Sequence, residues 1–283
     1  MILITGASGK TGKALIQALH RAGKAVRALV HRPEQIEMAR SLGAAEALSG
    51  DLADRTAVRQ AMQGAQVVYH ICPNMNPDEL PIGQMVTEEA GAAGVEHFVY
   101  HSVLHPQTQA MPHHWQKLLL EERLFESGLP FTILQPAPYM QNLLAYWQQI
   151  TTSGIYAVPY APTARLSLVD LEDVAAAAVT VLTLPGHHGA IYELAGTPPL
   201  SQEQVAEILS LELKRPVSAQ AISRQAWEQA ARQGTMSDYA IRTLLAMFVY
   251  YEEFGLAGNP QVLTWLLGRA PTTLPAFIKR NRS

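Results

Sequence analysis

The chain has 283 residues, 48% of them hydrophobic, a formal net charge of −3 and one cysteine. That length carries one large domain or two lobes around a real core, and a near-neutral charge without basic runs or interleaved aromatic and basic residues argues against direct nucleic-acid binding. Cys72 alone excludes an internal disulfide framework and any multi-cysteine metal site, which suits a reducing compartment, and no apolar run approaches the length of a membrane span.

Met1-Ile2-Leu3-Ile4 reads as a short core strand running straight into Ile4–Gly12, "ITGASGKTG". A strand this early leaves no room for a signal peptide, so a cytoplasmic protein is expected. The segment holds both a Gly-Lys-Thr triplet and three glycines spaced by three. A nucleoside-triphosphate loop needs Gly, four residues, then Gly-Lys-Ser/Thr, and counting back five from Gly9 lands on Ile4, which cannot serve. A dinucleotide loop needs a strand in and a helix out, and Lys13–His20 supplies the helix, with Ala14, Leu15, Ala18 and Leu19 at helical spacing. The spacing therefore favours dinucleotide binding, although a glycine-rich corner can also serve only to turn the chain.

Further strands are expected at Lys24–Val30, Glu46–Leu48, Gln66–Ile71, His97–Ser102 and Phe131–Gln135, alternating with amphipathic helices. That alternation predicts an α/β fold, a doubly wound, Rossmann-like parallel sheet with its ligand crevice at the carboxyl ends of the strands. Pro136–Tyr139 breaks the rhythm. After it come a predicted helix at Met140–Ile150, an alanine-rich helix at Val174–Leu184, a last strand at Ile191–Leu194, and mostly helices from Ser201 onward. Residues 1–137, completed by parts of 166–195, form the expected nucleotide-binding core; 138–165 and 196–283 form a smaller, mostly helical lobe.

At the tip of the second strand, an acidic residue would bond both ribose hydroxyls of NAD. Here Val30 is followed by His31-Arg32, with no carboxylate before Glu34. A guanidinium binds a 2′-phosphate through charge-assisted hydrogen bonds, so Arg32 and the loop cation Lys10 point to NADP(H), unless both are ordinary surface cations. Asp51 stands where the adenine amino group would lie and serves equally well as an N-cap for Ala53–Gln60.

Taken together, "TGASGKTG", "VRALVHRP", "GDL", the proline-ended fourth strand and "FVYHS", with the later "DLEDVAAAAVTVL" and "APTTLPAFI", resemble the NmrA-like family of atypical short-chain dehydrogenase/reductases. The resemblance implies a cofactor site along Gly6, Ser8, Gly9, Lys10, Thr11, Gly12, Arg32, Asp51, Leu52, Cys72, Pro73, Lys117 and Pro136. It also implies either a reductase of quinones, dyes or related conjugated compounds or a nucleotide-sensing regulator without turnover. A small-molecule acceptor is the expected partner under the first reading and a protein under the second; pairing with a second copy is left open.

Ordinary members of that superfamily resemble one another in a Tyr-x-x-x-Lys helix, and this chain offers His113-His114-Trp115-Gln116-Lys117. Residues four apart share a helix face, so Lys117 is a candidate ribose ligand and His113 a candidate proton donor, with His114 competing for that role and exposure the bland alternative. Ser102 ends the fifth strand, where the superfamily's substrate-binding serine sits, and fits a loop hydroxyl equally well. His101 and His105 lie across a strand end, and His187-His188 lack a carboxylate cluster, so no metal site is expected. Tyr139 and Met140, with Tyr146, Trp147, Phe248, Tyr250, Tyr251 and Trp265, suit a flat apolar acceptor or simply pack the second lobe's core. The reductase is the preferred reading, the sensor the alternative; a sugar-nucleotide epimerase would need the tyrosine that is missing.

Overall fold

Ile2, Leu3 and Ile4 form β1, a strand with every residue buried, and their unbroken apolar run is what a strand covered on both faces requires. The computed structural model describes residues 1–282. In chain order, β1 is followed by α1 (Lys10–Arg21), β2 (Val26–Val30), α2 (Ile36–Ser41), β3 (Glu46–Ser49), α3 (Arg55–Met62), β4 (Val67–His70), α4 (Glu79–Ala92), β5 (His97–His101), α5 (Pro112–Glu126) and β6 (Phe131–Pro136). Then come α6 (Trp147–Ser153), β7 (Ile155–Val158), β8 (Arg165–Leu166), α7 (Leu171–Thr183), β9 (Ala190–Leu194), β10 (Leu200–Ser201), α8 (Gln202–Leu213), β11 (Ser218–Ala221), α9 (Arg224–Arg232), α10 (Asp238–Phe254), α11 (Pro260–Leu267) and α12 (Leu274–Asn281).

Seven strands make one sheet in the order β3-β2-β1-β4-β5-β6-β9. β1 pairs in parallel with β2 on one side (Ile2 opposite Val26) and with β4 on the other (Ile2 opposite Val67), so the winding reverses between β1 and β4. A reversal of this kind opens a crevice at the carboxyl ends of the two strands. The doubly wound sheet expected from the alternating pattern is the one observed. One face buries Leu3, Val68, Phe98, Tyr100 and Ile133 against Val86 of α4 and Leu120 and Leu124 of α5.

The chain divides into two compact units. The first comprises Met1–Gln107, His114–Gln135 and Val174–Tyr192, the second Thr108–His113, Pro136–Asp173 and Glu193–Ser283. In the second unit, Asp170 and Asp173 are fully buried at the start of α7. Arg280 reaches Asp170 at 2.7 Å and Arg269 reaches Asp173 at 2.6 Å, which pins the C-terminal segments through charge-assisted hydrogen bonds. Side chains of Ser201, Ser223, Ser237, Asn259 and Thr273 cap α8 to α12, satisfying amides at the helix starts. Tyr160, Phe248, Tyr251 and Trp227 form an aromatic cluster of this unit, with Tyr160–Tyr251 ring centroids 5.9 Å apart and Trp227–Phe248 4.8 Å apart. Phe248 and Tyr251 are therefore core residues, and Trp265 is 71% exposed.

Two local expectations need correction. The segment predicted as a helix over Met140–Ile150 is a 3-10 helix from Met140 to Tyr146 followed by α6. Its start is held from outside: Met140 N donates to Val169 O, and the Gln141 amide bonds both Asp170 and Leu171 N. Asp51 does not cap a helix. Asp54 does, accepting from Thr56 N at the start of α3, while Asp51 accepts from Ala53 N and closes the turn before it. Among the described residues no helix is long and apolar enough to cross a membrane.

At the amino end of β5, buried His97 gives a measurable signature of the core. Thr132 donates its hydroxyl proton to His187 O at 2.6 Å, so the 2.8 Å contact between His97 Nε2 and Thr132 Oγ1 has the imidazole as donor. Burial, reinforced by His188 (ring centroid 4.5 Å away) and His187, holds His97 down to about 4. A histidine kept neutral in the fold stabilises it fully above its ordinary pKa of about 6.5 and loses that contribution as pH falls toward 4. His97→Gln retains an N–H donor. Calorimetric stability measured from pH 7 to 4.5 is expected to flatten in this variant by up to ~1.4 kcal/mol per pH unit relative to wild type, and superimposable profiles would contradict the assignment.

Candidate active site

The loop between β1 and α1 is shaped by two glycines. Gly6 has φ +58°, and a Cβ there would lie 2.7 Å from the carbonyl oxygen of Ile71, just past β4. At Gly12, in the first turn of α1, a Cβ would meet Ala7 Cα at 2.5 Å and Gly6 O at 2.6 Å, backbone atoms that cannot swing aside. Thr5 closes the same junction, its hydroxyl accepting from Ile71 N at 2.9 Å. Gly9 is the N-cap of α1 and offers no side-chain acceptor, and the first turn carries no acidic residue. The amides of that turn are thus free of a capping side chain beside the switch point, a donor set that suits a pyrophosphate. Ser8 is half-buried, Lys10 exposed and Thr11 buried.

Arg32 follows β2 and is 62% exposed, with Nε 3.3 Å from the equally exposed Glu34 carboxylate. An exposed pair of this kind is worth little, so the guanidinium remains able to take a stronger anion. Asp51 is exposed, Leu52 buried and Pro73 exposed. Cys72 is buried, its thiol 3.9 Å from Glu79 O, and burial pushes the thiol well up, which makes it inert as a nucleophile.

Lys117, on α5, forms an ion pair with Glu79 at the start of α4, Nζ to Oε1 2.5 Å, with only 13% and 2% of the two side chains exposed. Tyr100 OH donates to the same Oε1 at 3.4 Å, and Lys117 Nζ lies 5.4 Å from the Tyr100 ring centroid. Ser102 is buried and donates its hydroxyl to Glu121, whose two oxygens also accept from Gln135 Nε2 at 3.0 Å each. Burial raises the Glu121 carboxyl despite those donors. Of the sequence candidates, Lys117 and Ser102 are each tied to a buried carboxylate, Glu79 and Glu121, that the sequence reading did not single out. Glu79 does carry a signal. It falls on the stripe completed by Ile82, Gly83 and Val86, a position facing the core.

Histidines near these strand ends are held neutral. His70, stacked on Tyr100 with ring centroids 5.9 Å apart, and His101, bonded to Tyr69 OH at 2.7 Å, are both lowered to about 3 by burial and then by the Lys117 charge. His114, fully buried with Nδ1 3.1 Å from His105 O, is lowered to about 4, first by burial. None of the three can donate a proton as an imidazolium near neutral pH. His113 is also buried, on the same helix as Lys117, and groups with the second unit. Also in the second unit, Pro136 is buried at the end of β6, Tyr139 is half-buried, and Met140 is fully buried and packs that unit's core. Among the described residues, no three His, Cys, Asp or Glu side chains converge as metal ligands would.

The family model for the NmrA-like family matches residues 1–278. The chain belongs to that family. This NmrA-like chain is 30% identical over 283 residues to an NAD(P)H azoreductase of Xenophilus azovorans, covering 99% of the chain and 98% of the relative. It is 28% identical to quinone oxidoreductase 2 of Escherichia coli K12, covering 97% and 96% of the two chains. The crystal structure of the NADPH-dependent quinone oxidoreductase from Escherichia coli in complex with NADPH superposes with a TM-score of 0.88 at 27% identity, over 100% of both chains. These relatives are NAD(P)H-dependent oxidoreductases, and the fold is an NAD(P)-binding one.

Because the space beside Gly12 is bounded by backbone, Gly12→Ala is expected to displace the loop. A loss of ~1–3 kcal/mol of stability in denaturant titration, accompanied by weakened NADPH binding, is the expected outcome. A variant with wild-type stability and cofactor affinity would show that the loop is not constrained in this way.

Proposed function

We propose that the protein is an NADPH-dependent reductase that delivers hydride to a small, flat, conjugated acceptor such as a quinone. The observation that carries this reading is Arg32, an available guanidinium at the end of β2 where an NAD-specific site would place a carboxylate. Full-length similarity to a quinone oxidoreductase and an azoreductase supports the reaction class.

In this reading the uncapped first turn of α1 takes the pyrophosphate, Arg32 and Lys10 take the 2′-phosphate, and Asp51 and Leu52 face the adenine. Cys72, Pro73 and Pro136 flank the cofactor, and Lys117 donates to the nicotinamide ribose. NADPH, when bound, supplies the hydride. Half-buried Tyr139 belongs to the acceptor side, with Met140 packed in the core behind it, and His113 supplies a proton where the acceptor needs one. A reduced quinone is a stabilised phenolate-like anion, so little acid catalysis is required of it, and the absence of the superfamily tyrosine is tolerable. The single, buried cysteine fits a cytoplasmic setting.

Calorimetric titration is expected to give tighter binding of NADPH than of NADH. Arg32→Ala should weaken NADPH by ~1.5–3 kcal/mol, the range for a hydrogen bond to a charged group, and leave NADH nearly unchanged. Equal affinities in the wild type would overturn the cofactor assignment. For turnover, a panel of quinones and azo dyes followed by NADPH oxidation decides between enzyme and regulator: no oxidation with any acceptor contradicts a reductase. His113→Ala should leave NADPH affinity intact and lower turnover of an acceptor that needs protonation by ~10²-fold or more. An unchanged rate with azo dyes would remove His113 from that role.

A further inference from the structure

Glu79 is the first residue of α4, with 1% of its surface exposed, next to an N-cap, Asp78, whose side chain makes no cap bond. Its partner is Lys117, 38 residues away on another helix. The Lys117 ammonium meets the Glu79 carboxylate at 2.5 Å, and a second donor points at His101 O, 3.4 Å away. The Tyr100 ring closes one side, with its hydroxyl on the same carboxylate oxygen. An ammonium has three donors. Two are engaged by the protein at the carboxyl end of β5, which leaves one for a ligand hydroxyl.

Desolvating an ammonium to this degree is strongly unfavourable unless an opposite charge accompanies it. Lys117 has no other carboxylate among its described ion pairs, so Glu79 is what allows the ammonium to stay at the carboxyl end of β5 rather than extend to solvent. We infer that Glu79 is a positioning residue for the cofactor: it holds the Lys117 ammonium in place and oriented, and acts on NADPH only through Lys117. This inference rests on the NADPH reading above. A carboxylate that merely joined α4 to α5 would show the same contacts, so the two roles must be separated by where the effect of removing it disappears.

A double-mutant cycle on NADPH affinity does so. Dissociation constants for NADPH are measured by fluorescence titration for wild type, Glu79→Gln, Lys117→Met and the double variant, with circular dichroism melts to establish folding of each. Glu79→Gln keeps the shape of the side chain and an acceptor for Tyr100. It is expected to weaken NADPH about tenfold in the wild-type background and less than twofold in the Lys117→Met background, because contacting residues of one network couple. Glu79→Asp, which keeps the charge on a shorter arm, is expected to fall between wild type and Glu79→Gln, and gives the same comparison if the glutamine variant does not fold. Equal losses in the two backgrounds, or a Glu79→Gln protein that binds NADPH as tightly as wild type or more so, would overturn the inference. A wild type with no affinity for NADPH would overturn the cofactor reading and the inference together, whereas tight wild-type binding with an additive cycle overturns the inference alone.

Discussion

Everything at the nucleotide end of the molecule depends on how closely two backbones approach. Ile71, leaving β4, lies so near the loop after β1 that position 6 tolerates no Cβ, and the first turn of α1 lies so near that loop that position 12 tolerates none either. Thr5 adds side-chain bonds across the same junction, to Ile71 N and O and to His70 Nδ1 at 2.9 Å. Parallel strands with a winding reversal then place the amino end of α1 beside the crevice, with an N-cap, Gly9, that has no side chain to bond its amides. Strand order and loop stereochemistry together shape this candidate anion site, and neither would do so alone.

Further along the sheet, the carboxyl ends of β4 and β5 carry an unusual density of buried polar groups, and their charges are managed in two ways. Charged groups are paired: Lys117 with Glu79, and Glu121 with the hydroxyl of Ser102 and the amide of Gln135. Imidazoles are kept neutral: His70, His101 and His114 all lie far below their ordinary range, because burial penalises their charged form and the Lys117 ammonium adds to the penalty. The consequence is a region with a buried, paired ammonium and few competing proton donors.

How far the sequence reached depended on whether a feature was local. The strand-loop-helix at Ile2–Arg21, the alternation through β6 and the alanine-rich α7 are written in consecutive residues, and each formed close to where its periodicity placed it. Boundaries shifted by a residue or more where a cap decided them, as at Asp54, which outcompeted Asp51 for the start of α3. Glu79 was missed because its meaning comes from Lys117, and Glu121 because it stands beside Glu122 and Arg123 in a run that looks like a solvated face; only the inward position opposite Ser102 sets it apart. Phe248 and Tyr251 suit an acceptor wall or a core equally well by residue type, and Tyr160, contributed from far away in sequence, settles them as core.

The central claim, that this chain uses NADPH through Arg32 and Lys117, is tested most directly by a crystal structure of the protein with NADP⁺ bound. The account predicts the 2′-phosphate on the Arg32 guanidinium and the nicotinamide ribose hydroxyls on Lys117 Nζ, with Glu79 still paired to that ammonium. A cofactor whose 2′-phosphate faces solvent, or whose ribose lies out of reach of Lys117, would contradict it.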